Sequence, residues 1–316
     1  MLHRFTAMIR QTAILLLSGA VVLMAVEARA EPLNVSLVLS DSSLPYRQFS
    51  DSFIRALAAS KAEVAVVESQ VVGQVMGKPR AGLIVAVGMK ATELAAAQTG
   101  TPVLAVMVPE PGYQELLAQD SRQKPARAIS PIYLNQPWDR QIDLLQAALP
   151  ERRRIGLLYS PGTRIDVEDL RKQIDKRGGL LVAQPVSSPD KLYPSLESVL
   201  GNSDVLLAVP DNAIYSSSNI RNTLLTIYRH GIPLVGISQS YVNAGALCAV
   251  FSTPDQIAEQ ASATIMSFLR NERLPDPQYP TDFTIAVNRQ VARSLGIVLP
   301  SPETIRSQMG KNRRWE

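Results

Sequence analysis

The 316-residue chain contains one cysteine, two histidines and two tryptophans, and aromatic residues make up only 5% of it. A single cysteine, Cys248, excludes any disulfide within the chain, so stability must come from a packed core. Cys248 lies inside the apolar run Ala246–Phe251, where a thiol is expected to behave as a small buried hydrophobe. His3 belongs to the leader described below, which leaves His230 as the one remaining imidazole. It precedes Gly231 at the end of a helical stretch, the place where a histidine meets the helix dipole. No HExxH, paired CxxC or His/carboxylate cluster is present, so nothing points to a metal. Gly236-Ile237-Ser238-Gln239-Ser240 misses the nucleophile-elbow pattern at its last position, and one histidine gives little support to a triad. GxGxxG and Walker-type loops are absent. The formal net charge of +4 is too small to argue for nucleic acid or an anionic membrane surface. Arg152-Arg153-Arg154 precedes an apolar strand and reads as a solvated loop. These absences predict no catalytic residue, no metal and no cofactor.

One long apolar stretch is present, at the start. Arg4 and Arg10 make a positive n-region, Ala13–Val26 is apolar apart from Ser18 and Gly19, and Ala28-Arg29-Ala30 has small-x-small cleavage spacing. This pattern predicts a secretory signal peptide over 1–30, with export to the periplasm. The apolar run is short for a membrane span. No cysteine follows the cleavage site, so no lipid anchor is expected.

Beyond Glu31, short β-type runs alternate with helix-type stretches. Leu33–Leu39, Glu63–Val67, Gly82–Val87 and Pro102–Val108 read as strands, and Tyr46–Ser60 and Lys90–Gln98 as helices. The alternation resumes with strands at Arg154–Tyr159, Leu180–Pro185, Asp204–Val209, Pro233–Ile237 and Ala246–Phe251. Helices are expected between them at Asp166–Arg177, Lys191–Leu200, Asn219–His230 and Gln239–Asn243. Such βαβ order predicts an α/β fold of two Rossmann-like lobes with parallel sheets, joined near Ile132–Gln136. Thr253-Pro254-Asp255-Gln256 then has the grammar of a capped helix start, with Ile257, Ala261, Ile265 and Phe268 on one face. A Pro-rich connector, Asn271–Pro280, leads to a strand at Asp282–Val287 and a helix at Asn288–Leu295. The basic end, Lys311–Trp315, is expected to fray.

Polar residues follow the apolar strands, where open α/β sheets bind ligands. They are Ser40-Asp41-Ser42, Gly88-Met89-Lys90-Ala91-Thr92, Ser160-Pro161-Gly162-Thr163, Pro210-Asp211-Asn212 and Ser238-Gln239. Each cluster alone fits a helix cap. Their recurrence in both halves suggests one cleft. The expected ligand site is Ser42, Gly88 and Thr92 from the first lobe with Ser160, Asp211, Asn212 and Ser238 from the second. Gly88 would let a ligand approach the backbone, and the helix starting near Lys90 would receive a carboxylate with help from Thr92. Asp211 would accept from a ligand amine or hydroxyl, and its replacement would be nearly silent for stability.

Five segments carry a resemblance. VAVGMKATELAAAQTGTPVLAVMV, RIGLLYSPG, DVLLAVPDNAI, GIPLVGISQSYVNAGALCAV and NRQVARSLGIVLP, in this order, resemble segments of the periplasmic solute-binding proteins of ABC transporters. Some members of that family bind tryptophan and related amino acids. The resemblance implies the type I periplasmic-binding-protein fold, in which the chain crosses between lobes three times. It implies lobes of 31–133 plus 252–281 and 134–251 plus 282–300, with 301–316 as a tail. It also implies a monomer that captures a small molecule, of the amino acid or small organic acid class, and delivers it to a membrane permease. An envelope interaction or signalling protein on the same fold is the alternative. Two departures stand out: Val108-Pro109-Glu110-Pro111-Gly112-Tyr113 lacks the family's usual Asp-Pro and glycine-rich loop, and Ser160 stands where Asn is common.

Overall fold

A computed structural model describes residues 32–60, 63–73, 81–97, 100–120, 128–211, 213–216, 219–311 and 315. The expected leader over 1–30 and the candidate site residue Asn212 lie outside the described residues. Two sheets carry the fold. The first contains β1 (Leu33–Leu39), β2 (Val64–Val71), β3 (Leu83–Val87), β4 (Val103–Val108) and β5 (Ile129–Tyr133). Its order is β2-β1-β3-β4-β5, parallel throughout. The second contains β6 (Arg154–Tyr159), β7 (Leu180–Pro185), β8 (Val205–Leu207), β9 (Leu234–Gly236), β10 (Cys248–Phe251) and β11 (Thr284–Val287). Its order is β11-β10-β9-β8-β6-β7, with β11 alone antiparallel to its neighbour.

The helices are α1 (Leu44–Ala59), α2 (Met89–Ala97), α3 (Glu110–Asp120), α4 (Trp138–Ala148), α5 (Val167–Lys176) and α6 (Leu192–Leu200). They continue with α7 (Ile220–Arg229), α8 (Gln239–Ala244), α9 (Pro254–Asn271), α10 (Arg289–Ser294) and α11 (Pro302–Gln308). Strand β3 shows why its sequence is apolar throughout. Leu83, Val85 and Val87 join one core with α1 and α9, while Ile84 and Ala86 face Ala91 and Ala95 of α2. Both faces are covered, so period-two alternation buries every residue. Alanines on the α2 side let the helix pack close.

Helix α9 starts as its sequence implies. Thr253 and Gln256 form both halves of a capping box. Ile257, Ala261 and Ile265 are fully buried in the core of the first sheet, although α9 follows the last parallel strand of the second. Each buried isoleucine contributes about 1.5–3 kcal/mol. The chain thus passes between sheets at Leu134–Pro137, at Ser252–Thr253 and again between Glu272 and Phe283. One hydrogen-bonded node ties the three passages. Gln136 Nε2 donates to Ser252 Oγ at 3.0 Å, and Ser252 Oγ donates to the Asp282 carbonyl at 2.5 Å. Gln136 and Ser252 are buried.

Four elements were not expected: α3, β5, α4 and α11. Helix α3 holds Pro111 and Gly112, which read as breakers, but proline is tolerated in a first turn that needs no donor. Strand β5 holds Pro131 at a sheet edge, where proline is admitted. Gln278 covers that edge by exchanging backbone hydrogen bonds with Pro131 and Tyr133. The expected fraying of the basic end is corrected at Trp315. This residue is 6% exposed in the second-lobe core, and its N–H donates to the Arg177 carbonyl at 2.7 Å. A Cβ at Gly179 would lie 2.7 Å from the Trp315 ring, so the glycine makes the slot. Cys248 is fully buried, and burial pushes its thiol up to about 12. Among the described residues no helix is long and apolar enough to cross a membrane.

Candidate functional site

Two adjoining cavities of about 490 and 170 Å³ open between the lobes and share Pro109, Asn135, Gln136, Gln141 and Pro210. Their walls begin where strands end: Pro109 follows β4, Gly162 follows β6, Pro210 follows β8 and Ser238 follows β9. This is the carboxyl-end edge where α/β sheets receive ligands.

The first-lobe wall is the start of α3. Met107 has φ +55°, and the pairing of β4 with β5 shifts register between Val106 and Val108. A left-handed non-glycine residue at a bulge re-aims the strand exit. Glu110 follows and is held on three sides. Its N–H donates to Asn135 Oδ1 at 2.8 Å, and its Oε2 accepts from Asn135 Nδ2 at 3.2 Å and from the Tyr279 hydroxyl at 2.5 Å. Burial, and then the Glu110 carboxylate, raise the Tyr279 phenol well above its ordinary value, so it stays a donor. Tyr133 packs edge-on against both Tyr113 and Tyr279, with ring centroids 6.0 and 5.2 Å apart.

The second-lobe wall is the turn Gly162–Ile165 with the start of α5. Arg164 has φ +48°, and its guanidinium crosses the cleft to Glu115 of α3 at 3.2 Å. Asp166 caps α5 by accepting from the Asp169 N–H at 2.8 Å. Trp138 of α4 and Tyr279 of the returning connector add aromatic surface.

The structure gives most of the expected site residues other tasks. Ser42 is exposed and lines neither cavity. Gly88 has φ +82°, as a glycine can, but the space over it is filled: a Cβ there would lie 2.4 Å from the Tyr46 hydroxyl. Thr92 is fully buried, and its hydroxyl donates to the Gly88 carbonyl at 2.8 Å. The α2 N-terminus, expected to take a carboxylate, is capped by Ser40, whose Oγ accepts from the Ala91 N–H at 3.0 Å. Ser238 does line the smaller cavity, and it also caps α8 through the Tyr241 N–H at 3.4 Å.

Asp211 is the largest departure from expectation. Only 5% exposed, it accepts from the Ser160 N–H at 2.7 Å, the Ala213 N–H at 2.9 Å and the Thr163 hydroxyl. Burial raises its pKa, but the bonds from Thr163, Ser160 and Ala213 outweigh that and hold the carboxyl below its ordinary value. Three of about four acceptor positions on the carboxylate are therefore taken by the protein. Asp211 and Ser160 stand behind Thr163, which lines the larger cavity. The lining residues Gln136, Trp138, Gln141 and Tyr279 were missed. The one available signal was their place beside a lobe crossing.

A family model described as ABC transporter substrate binding protein matches residues 54–309. A ligand-free, open substrate-binding protein with adhesive properties from Clostridium difficile is similar in structure, with a TM-score of 0.68 at 18% identity, covering 90% of this chain and 99% of that one. An ABC domain in complex with L-Trp from Streptococcus pneumonia gives 0.61 at 17% identity, covering 88% and 99%. A conserved domain protein from Vibrio cholerae gives 0.61 at 19% identity, covering 88% and 98%. At these identities the likeness concerns the fold. No curated protein sequence matches the chain. The matched span takes in strands of both sheets and all three passages between them, and this chain belongs to the ABC transporter substrate binding protein family.

Proposed function

We propose that this protein is an exported, non-enzymatic solute-binding protein that captures a small molecule between its lobes and presents it to the permease of an ABC transporter. The observation that carries this reading is the cleft, walled by strand ends of both sheets and floored at Gln136 by the node that joins the lobes. Capture there couples ligand contact to the relative position of the lobes. The lobes comprise 31–133 plus 252–281 and 134–251 plus 282–300, and the tail from 301 belongs with the second. The contact set proposed is Thr163, held by Ser160 and Asp211, with Ser238, Gln136, Trp138 and Tyr279. The leader over 1–30 would deliver the chain to the periplasm as a monomer without a lipid. Amino acids and small organic acids are the ligand classes the family resemblance implies.

Thermal-shift screening of the chain from Glu31 onward tests this. A true ligand stabilises by RT ln(1 + [L]/Kd), about 2.7 kcal/mol at a hundredfold excess over Kd. A broad library of amino acids, amines and acids that leaves the melting temperature unmoved would sink the reading.

A further inference from the structure

We propose that the cleft selects a small organic cation, an amine without a free carboxylate. This rests on the solute-binding reading above and narrows its ligand. The cleft's capacity for anions is already used. Among the described lining residues Arg164 is the one cation, and it is paired with Glu115 across the cleft. Three helix N-termini at the cleft, those of α3, α5 and α8, are filled by the protein itself, and that of α4, which Pro137 leaves without a side-chain cap, carries Asp139 in its first turn. Helix α3 carries Glu110 in its first turn, and the Glu110 N–H is given to Asn135. Helix α5 is capped by Asp166 and has Glu168 and Asp169 in its first turn. The short α8 is capped by Ser238. A carboxylate entering beside α3, α5 or α8 would meet engaged donors and like charge.

The capacity for cations is open. Glu110 from the first lobe, with Asp166 and Asp169 from the second, lines the larger cavity, and no described cation lies within ion-pair distance of any of them. Glu110 accepts the Tyr279 hydroxyl. Carboxylates from opposite lobes thus face one cavity of about 490 Å³, with Tyr279 in its lining. Closure brings these like charges together, which an ammonium between them would offset. Trp138 and Tyr279 supply ring faces suited to a cation's apolar side.

Calorimetry with matched ligands tests the proposal. On each of three skeletons (indole, phenol and a four-carbon chain) the amine, the α-amino acid and the carboxylic acid are titrated into the purified chain. The amine of at least one skeleton should bind about tenfold or more tighter than its amino acid, and the acids should give no heat. Asp169→Asn, a change at an exposed residue, should weaken the amine about tenfold with an unchanged melting temperature. Raised salt should weaken the amine in the wild type more than in Asp169→Asn. An amino acid or acid that binds tighter than its amine would overturn the cation proposal and leave solute binding standing. No heat from any skeleton, with no thermal shift from the broad library, would sink both.

Discussion

Replacing Asp211 by alanine should cost the fold rather than only the ligand. Its carboxylate is 5% exposed and joins three segments: the end of β6 through Ser160, the following turn through Thr163, and its own loop through Ala213. Asp211→Ala strands two backbone N–H groups, each costing about 1–3 kcal/mol when left without an acceptor. Thr163 lines the larger cavity, where solvent could replace part of the lost bonding, so the sum is taken at about 3 kcal/mol. For a unit of lobe size this lowers the melting temperature by about 6–12 °C. Asp211→Asn keeps one accepting oxygen but turns an NH₂ toward an N–H, so about half the loss is expected. The comparison is made by thermal unfolding of the ligand-free proteins at neutral pH. The effect should also depend on pH. The folded-state pKa of Asp211 is depressed, so its stabilisation is fully present above the unfolded value of about 3.9 and is lost as pH falls through the folded value. The gap between wild type and Asp211→Asn should therefore narrow below about pH 4. A variant melting within about 1 °C of wild type, or a gap that stays constant between about pH 4 and pH 2, would refute the bracing role.

Trp315→Ala should destabilise by about 3–5 kcal/mol, seen as a lower urea midpoint, because it empties a slot built by Gly178 and Gly179; an unchanged midpoint would mean the tail is dispensable. Thr92→Val should leave affinity for any ligand found within about twofold by calorimetry, while lowering stability by about 1 kcal/mol, since the hydroxyl serves the Gly88 carbonyl. Glu115→Gln should change stability by less than about 1 kcal/mol, because its pair with Arg164 is about half exposed. The same change should enlarge the radius of gyration of the ligand-free protein in small-angle scattering, since the pair crosses the cleft.

Much of the fold was legible because burial on two faces forces apolar runs. Strand β3 and strand β4 have no polar residue, and only a covered parallel sheet accounts for that. Helix α9 was legible from Thr253-Pro254-Asp255-Gln256. The start of α11, Ser301-Pro302-Glu303-Thr304, carries similar grammar, with Ser301 Oγ accepting from the Thr304 N–H at 3.2 Å, and could have been read. Helix α3 and strand β5 were hidden by Pro111, Gly112 and Pro131. Proline marks a break in local rules, yet a first helical turn and a sheet edge both admit it. The burial of Trp315 could not be read locally, because its slot is made by glycines more than a hundred residues away.

The site was harder to read than the fold, for a physical reason. A serine, threonine or aspartate after a strand has two possible claimants, a ligand and the backbone donors of the next turn. The backbone is always present, and a buried donor left unmet is costly, so the local claim is met first. Ser40 caps α2, Thr92 bonds back to Gly88, Ser238 caps α8 and Asp211 is enclosed by Ser160, Thr163 and Ala213. Of the expected site residues in this set, Thr92 and Asp211 are thus engaged by the protein and line neither cavity, while Ser238 caps a helix and also faces the smaller one. The cavity walls are lined instead by residues whose local claims are weak or already settled: Pro109, which has no donor, Gln136 at the hinge node, and the rings of Trp138 and Tyr279. Pro109–Gly112, part of one of the two segments that depart from the resembled pattern, forms the first-lobe wall of the larger cavity, so a ligand held there would meet a wall particular to this sequence.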